Sequence, residues 1–316
     1  MNYVKESGSF KSSNGSDNIA YYVYKPISEP KAIVQIVHGM CEYCGRYEEF
    51  ISFLCSNGIM VCCHDQLGHG ASAAGEERLG FFASERGWQY LAKDTARLSK
   101  MIRAQAQELP YYILGHSMGS LVVRAVLAKY DFLYSGSIIM GTLNTKVGTD
   151  AGIVLTRFLS KTKGEFYRSK SVDELIFGLS NRRIEDPASE YSWISRDEEI
   201  VAAYEKDPLC NFHFTVRAYS DLLFLVNYVS GKDWAKKLNN DLPILICSGS
   251  EDPVGNYGKG PQEVFDALNN AGFTDLELKL YNGARHELLN EINRTEVYED
   301  ILDWLNDHTA NISEEE

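Results

Sequence analysis

Residues Gly115-His116-Ser117-Met118-Gly119 constrain this chain more than any other stretch, because of what flanks them. The apolar run Tyr111–Leu114 leads straight in, and Leu121–Lys129, which is helix-patterned, leads straight out. A strand that becomes a helix through G-x-S-x-G must turn sharply at the serine, which then stands exposed at the carboxyl edge of a parallel sheet. Alone the pentapeptide is a weak signal. Its setting turns Ser117 into a candidate nucleophile, with the start of the following helix favouring negative charge beside it.

The rest of the chain repeats the strand-then-helix rhythm. Ile19–Lys25, Ala32–Val37, Ile59–His64 and Ser137–Met140 read as strands, rich in β-branched and aromatic residues. Arg46–Asn57 and Gly87–Glu108 carry helical spacing, closed by Gly58 and Pro110. Such alternation predicts an α/β fold, a mostly parallel central sheet flanked by helices. The rhythm stops after Gly141. Helix-like pieces follow, Gly152–Leu159, Asp197–Lys206 and Val216–Val229, until alternation resumes at Pro243–Cys247, Leu276–Tyr281 and a closing helix near Thr295–Asn306. The expected organisation is therefore a core of residues 1–141 and 233–316 with a helical cap, or lid, inserted at 142–232. The acidic end, Glu314–Glu316, is expected to fray.

A serine needs a base, usually a histidine oriented by a carboxylate. Of the seven histidines, His38 and His69 precede glycines at strand ends, His116 sits inside the elbow, His64 ends a strand, His308 lies in the tail and His213 in the insertion. His286 remains, on the loop that follows the strand Leu276–Tyr281 and so on the same sheet edge as Ser117. The carboxylate should lie between them in sequence, on another carboxyl-edge loop. Asp252 fits, with Glu251 as its rival; Asp252 is preferred because Pro253 fixes the loop just beyond it. Oxyanion donors should be backbone N–H groups, one from Met118 and one from the early loop His38-Gly39-Met40, with Met40 chosen.

Composition narrows the partners. Against 44 Asp and Glu stand only 31 Lys and Arg, a net charge of −13, so nucleic acid is excluded as a partner and membrane contact is expected to be transient at most. Seven cysteines, an odd number with Cys62 and Cys63 adjacent, suit a reducing, cytoplasmic setting better than a disulfide framework. Cys41 and Cys44 form a C-x-x-C, but no second pair with ligand spacing exists, so they read as small loop residues and no metal or cofactor is expected. No apolar run reaches the length of a bilayer span, and the start lacks the pattern of a secretory signal.

The motifs taken together carry a resemblance: His38-Gly39-Met40-Cys41-Glu42 with Gly45-Arg46-Tyr47, Asp65-Gln66-Leu67-Gly68-His69-Gly70, the serine elbow, Gly249-Ser250-Glu251-Asp252, and Gly283-Ala284-Arg285-His286-Glu287. In this order they resemble the monoacylglycerol lipase and lysophospholipase branch, serine aminopeptidase S33-type, of the α/β-hydrolase superfamily. The resemblance covers the core, residues 31 to about 305, and is weak in the insertion. It implies a cofactor-free carboxylic ester hydrolase acting on a small ester or lipid, with Ser117, Asp252 and His286 as triad and Met40 and Met118 as oxyanion donors. A peptidase or thioesterase on the same fold is the alternative, and a catalytically silent ligand-binding member the more distant one.

Overall fold

A computed structural model describes residues 2–230 and 232–314. Eight strands form one sheet: β1 (Tyr3–Lys11), β2 (Asn18–Pro26), β3 (Ala32–Val37), β4 (Ile59–His64), β5 (Tyr111–His116), β6 (Gly136–Met140), β7 (Ile244–Gly249) and β8 (Leu276–Tyr281). Their order across the sheet is β1-β2-β4-β3-β5-β6-β7-β8. β2 pairs antiparallel with β1 and β4, and every other pairing is parallel.

The central strands are buried along their whole length, as strands covered on both faces must be. Their side chains alternate between two cores. Ile33, Tyr111 and Ile113 point to one face and Val34, Ile36, Tyr112 and Leu114 to the other. The helices between and after them are α1 (Glu48–Ser56), α2 (Gly87–Arg103), α3 (Met118–Tyr130), α4 (Thr149–Lys163), α5 (Lys170–Phe177), α6 (Glu198–Lys206), α7 (Val216–Val229), α8 (Lys232–Ala235), α9 (Lys259–Asn269) and α10 (Arg294–Glu314). Phe50, Ile51 and Leu54 of α1 and Val297, Ile301 and Trp304 of α10 fill one core. Leu91 and Leu98 of α2, Leu121, Val122, Val126 and Leu127 of α3, and Val264 and Leu268 of α9 fill the other.

Helices α4 to α7 all fall between β6 and β7, where the sequence predicts the insertion. The expected return to the core at 232–233 lies beside Gly231, which is outside the described residues, as are the last two residues of the acidic end. Strand β1 and helix α9 were not anticipated. β1 is an edge strand, exposed over most of its length, and lacks the apolar alternation that marks a buried strand. Helix α9 opens on Lys259-Gly260-Pro261, whose glycine and proline read as a loop.

Arg124 on α3 bridges the two ends of the segment that carries α4 to α7. Its guanidinium is buried and, among the described residues, faces no carboxylate. It donates instead to the carbonyls of Leu143 (2.8 Å), where the chain leaves the core, and Val229 (2.6 Å), where α7 ends. The Trp234 ring lies against it, 4.4 Å from centroid to guanidinium carbon.

Candidate active site

Five loops meet at the carboxyl edge of the sheet. The elbow after β5 holds Ser117 at φ 53° and ψ −121°, a backbone conformation that side chains rarely adopt. The two flanking glycines make that turn possible. A Cβ at Gly119 would sit 2.0 Å from the Val37 carbonyl oxygen, and one at Gly115 would sit 2.5 Å from the Gly119 carbonyl. The Ser117 N–H is fixed by the Met140 carbonyl of the neighbouring strand at 2.9 Å.

The loop after β8 brings His286 Nε2 to 2.8 Å from Ser117 Oγ. The loop after β7 brings Asp252 Oδ2 to 2.9 Å from His286 Nδ1. Asp252 and His286 are both buried. The other Asp252 oxygen accepts the Val254 N–H at 2.9 Å, which holds the carboxylate in place. An ionised carboxylate only accepts, so Nδ1 carries the proton and Nε2 is left bare toward the serine hydroxyl. Glu251 turns outward toward Arg183 at 3.8 Å, half-exposed.

Of the early loop's N–H groups, that of Gly39 is taken by the Glu42 carboxylate. The N–H groups of Met40 and Met118 meet no acceptor among the described residues, and both residues line the same cavity as Ser117 and His286. Preorganised, unpartnered N–H groups beside a nucleophile are what an oxyanion requires.

A buried charge network lies beneath these groups. Glu42 Oε1 accepts from Tyr47 Oη at 2.9 Å and faces His116 Nδ1 at 2.9 Å. His116 Nε2 faces the His286 carbonyl at 3.3 Å. An acceptor faces each ring nitrogen of His116, an arrangement that favours its protonated form. Burial works against charge at both residues. The mutual attraction of the pair prevails, raising His116 and, with Arg46, holding Glu42 well below the usual carboxylate range. Arg46 reaches on to Glu287, at 2.5 and 2.8 Å, so one chain of charges joins the oxyanion loop, the elbow and the loop of His286.

Sequence reasoning set His116 aside as unable to reach the serine and gave no role to Glu42, Arg46, Tyr47 or Glu287. The signal was their charge: apolar runs with ionisable residues fixed among turn glycines seldom bury them without partners. His38 and His69, read as turn residues, are buried struts. His38 Nε2 accepts the Gln66 N–H at 2.9 Å, and His69 Nε2 accepts the Cys41 N–H at 3.3 Å. All seven cysteines are free and buried, and burial pushes the Cys41 thiol up. Among the described residues no cluster of three or more His, Cys, Asp or Glu is arranged to hold a metal ion.

Above Ser117 opens a cavity of about 870 Å³, in the range of small-molecule sites. Its walls are mostly apolar, with Leu121 and Leu143 from the core and Leu222, Leu223 and Val226 from α7. Trp193 from the insertion covers His286, with ring centroids 5.2 Å apart, and Phe177 stacks on Trp193. The segment around Trp193 is laced to the histidine loop. Arg285 donates to the carbonyls of Ser192 and Ser195, and the Glu287 N–H to that of Ile194.

The family model for serine aminopeptidase S33 matches residues 28–293. A monoglyceride lipase homolog of monkeypox virus is 30% identical over 296 residues, covering 92% of this chain and 95% of its own. The monoacylglycerol lipase of Mycolicibacterium smegmatis is 28% identical, covering 93% and 95%. Among solved structures, a thermostable carboxyl esterase from Bacillus coagulans superposes with a TM-score of 0.91 at 33% identity, covering 97% of this chain and 99% of that one.

Proposed function

This chain belongs to the serine aminopeptidase S33 family of α/β-hydrolases, and from that premise we propose that it is a serine carboxylic ester hydrolase of the monoacylglycerol lipase type, with Ser117, His286 and Asp252 as its triad. The observation that carries the reading is the continuous Ser117–His286–Asp252 hydrogen-bond chain at the floor of an apolar cavity. The similarity to lipases and an esterase, rather than to the peptidase in the family's name, favours an ester over an amide.

Ser117 Oγ attacks the ester carbonyl as His286 Nε2 takes its proton. The carbonyl oxygen, now an oxyanion, rests on the N–H groups of Met40 and Met118. His286 returns the proton to the leaving alcohol, and water, activated by the same nitrogen, releases the acid from the acyl-enzyme. Asp252 keeps the proton on Nδ1 and stabilises the imidazolium that forms at each step. The apolar walls accept the acyl chain, and residues 142–232 act as the cap that encloses it.

A fluorophosphonate probe tests this directly by intact mass. A single adduct on the native protein, absent from Ser117→Ala, is expected, with hydrolysis of acyl esters falling about 10⁴-fold or more in the variant. Labelling that survives Ser117→Ala, or none on folded native protein, overturns the assignment. A panel of monoacylglycerols and simple alkyl esters then grades chain length.

A further inference from the structure

His286 stands on a loop, and a loop by itself does not hold a base within about 0.5 Å of its working position. The Asp252 bond fixes the ring at Nδ1. The main chain beneath the ring must be fixed by something else. The His286 N–H reaches the Trp193 carbonyl at 3.4 Å, a long contact. Its two neighbours are held more closely. The Glu287 N–H donates to the Ile194 carbonyl at 2.7 Å, and the Arg285 N–H to Glu291 Oε1 at 2.8 Å.

Glu291 is wholly buried. A carboxylate offers about four acceptor sites, and here each is met. Oε1 takes the N–H groups of Arg285 and Arg196, the latter at 3.2 Å. Oε2 takes the Ile292 N–H at 3.0 Å and the Arg196 Nε–H at 2.8 Å. The Arg196 guanidinium supplies the opposite charge that a buried anion requires. Its Nη2 donates onward to Asn293 Oδ1 at 2.6 Å. Gly283, at φ 71° in the turn before the histidine, makes room for that side chain, since a Cβ there would sit 3.2 Å from Arg196 Nη1.

Arg196 comes 95 residues before Glu291, on the chain between β6 and β7. The residues on either side of it make the same crossing. Ser195 Oγ donates to the Asn290 carbonyl at 2.8 Å, and Asp197 accepts from Arg294 at 3.2 Å. Three consecutive side chains are thus clipped to the one short stretch that follows the candidate base. Neither Arg196 nor Glu291 lines the cavity, so neither is placed to meet substrate.

We propose that Arg196 and Glu291 are positioning residues for His286, and that through this clip the inserted region sets where the base stands over Ser117. The proposal rests on reading His286 as the base. It makes residues 195–197 part of what readies the site for reaction, apart from any covering of the cavity by the rest of the insertion.

The test compares full-length native protein with Glu291→Gln, Arg196→Met and Arg196→Lys, each at a temperature where circular dichroism shows it folded. Glutamine keeps the shape but turns an amide NH₂ toward donors, and methionine leaves Glu291 without its cation. Both should lower kcat on a water-soluble short-chain ester, and the rate of fluorophosphonate labelling, about 10²-fold, with KM within about twofold of native. Arg196→Lys keeps the charge and should regain about tenfold of what methionine loses. Leu305→Val, in the core against α10 and outside the clip, is the control for loosened packing and should label at the native rate. Native rates in folded Glu291→Gln and Arg196→Met, a higher KM with kcat unchanged, or no recovery with lysine overturns the proposal. If Glu291→Gln does not fold, Asn293→Ala takes its place. It frees only the outer end of the Arg196 fork and should slow labelling about threefold, and labelling at the native rate overturns the proposal. Failure of the triad reading shows elsewhere, as labelling that survives Ser117→Ala.

Discussion

The His116–Glu42 pair lies beneath the groups proposed to react. It ties the Gly39 N–H, the elbow and the His286 carbonyl to one buried carboxylate. Glu42→Gln should lower kcat up to about 10²-fold with KM little changed, because it loosens geometry rather than binding, and the pH–rate profile should shift as His116 loses the anion that keeps it charged. Removing one partner of a buried pair should also cost about 3 kcal/mol, read from the urea midpoint. Gly119→Ala tests the elbow itself. Its methyl would press on the Val37 and His38 carbonyls, so fluorophosphonate labelling should slow at least tenfold as the Met118 N–H is displaced. At this scale three candidates were legible: Ser117 from its elbow setting, His286 by elimination among the histidines and Asp252 from its place on a carboxyl-edge loop, and the structure brings the three within hydrogen-bond distance. Glu42 and His116 were not, since nothing local says that a carboxylate three residues past a glycine will bury itself under a ring 74 residues away.

At the scale of elements, the parallel strands were legible because both faces are buried and the runs are continuously apolar. The edge strand β1 and helix α9 were not, for want of that pattern. Helices α4, α6 and α7 were legible from their spacing, and α5 was not. Segment 192–196 is hydrogen-bonded to the histidine loop, whereas α4 packs on α7. Arg124 governs how the two parts are joined. Arg124→Met would leave the Leu143 and Val229 carbonyls without their donor, costing about 2–4 kcal/mol. Hydrogen exchange should accelerate across 142–165 and 216–230 while β3 and β5 stay protected.

For the molecule as a whole, pH is the clearest lever. Burial, with the neighbouring His38, pushes His64 and His69 down to about 3 from 6.5. Both stay neutral when folded, so below about pH 6.5 the unfolded chain binds more protons and stability falls as pH falls. Asp221, raised by burial to about 6 from 3.8, works the other way and gains stability between those values. Two groups lose and one gains, so a net loss on the order of 1 kcal/mol per pH unit is expected from these three between about pH 6 and pH 4. Urea midpoints across that range check it, and His64→Gln should flatten the slope.

The sheet order also sets a sequence in time. Ser117 directly follows a central strand, β5, yet His286 comes 169 residues later, on the loop after the last strand, β8. At ~5–20 residues per second, a nascent chain carries its serine for roughly 8–30 s before its base has even been synthesised. Until β7 and β8 join the sheet, that hydroxyl is as inert as any other in the cell. In the order of synthesis the proposed nucleophile comes first, residues 142–232 next and the proposed base after them.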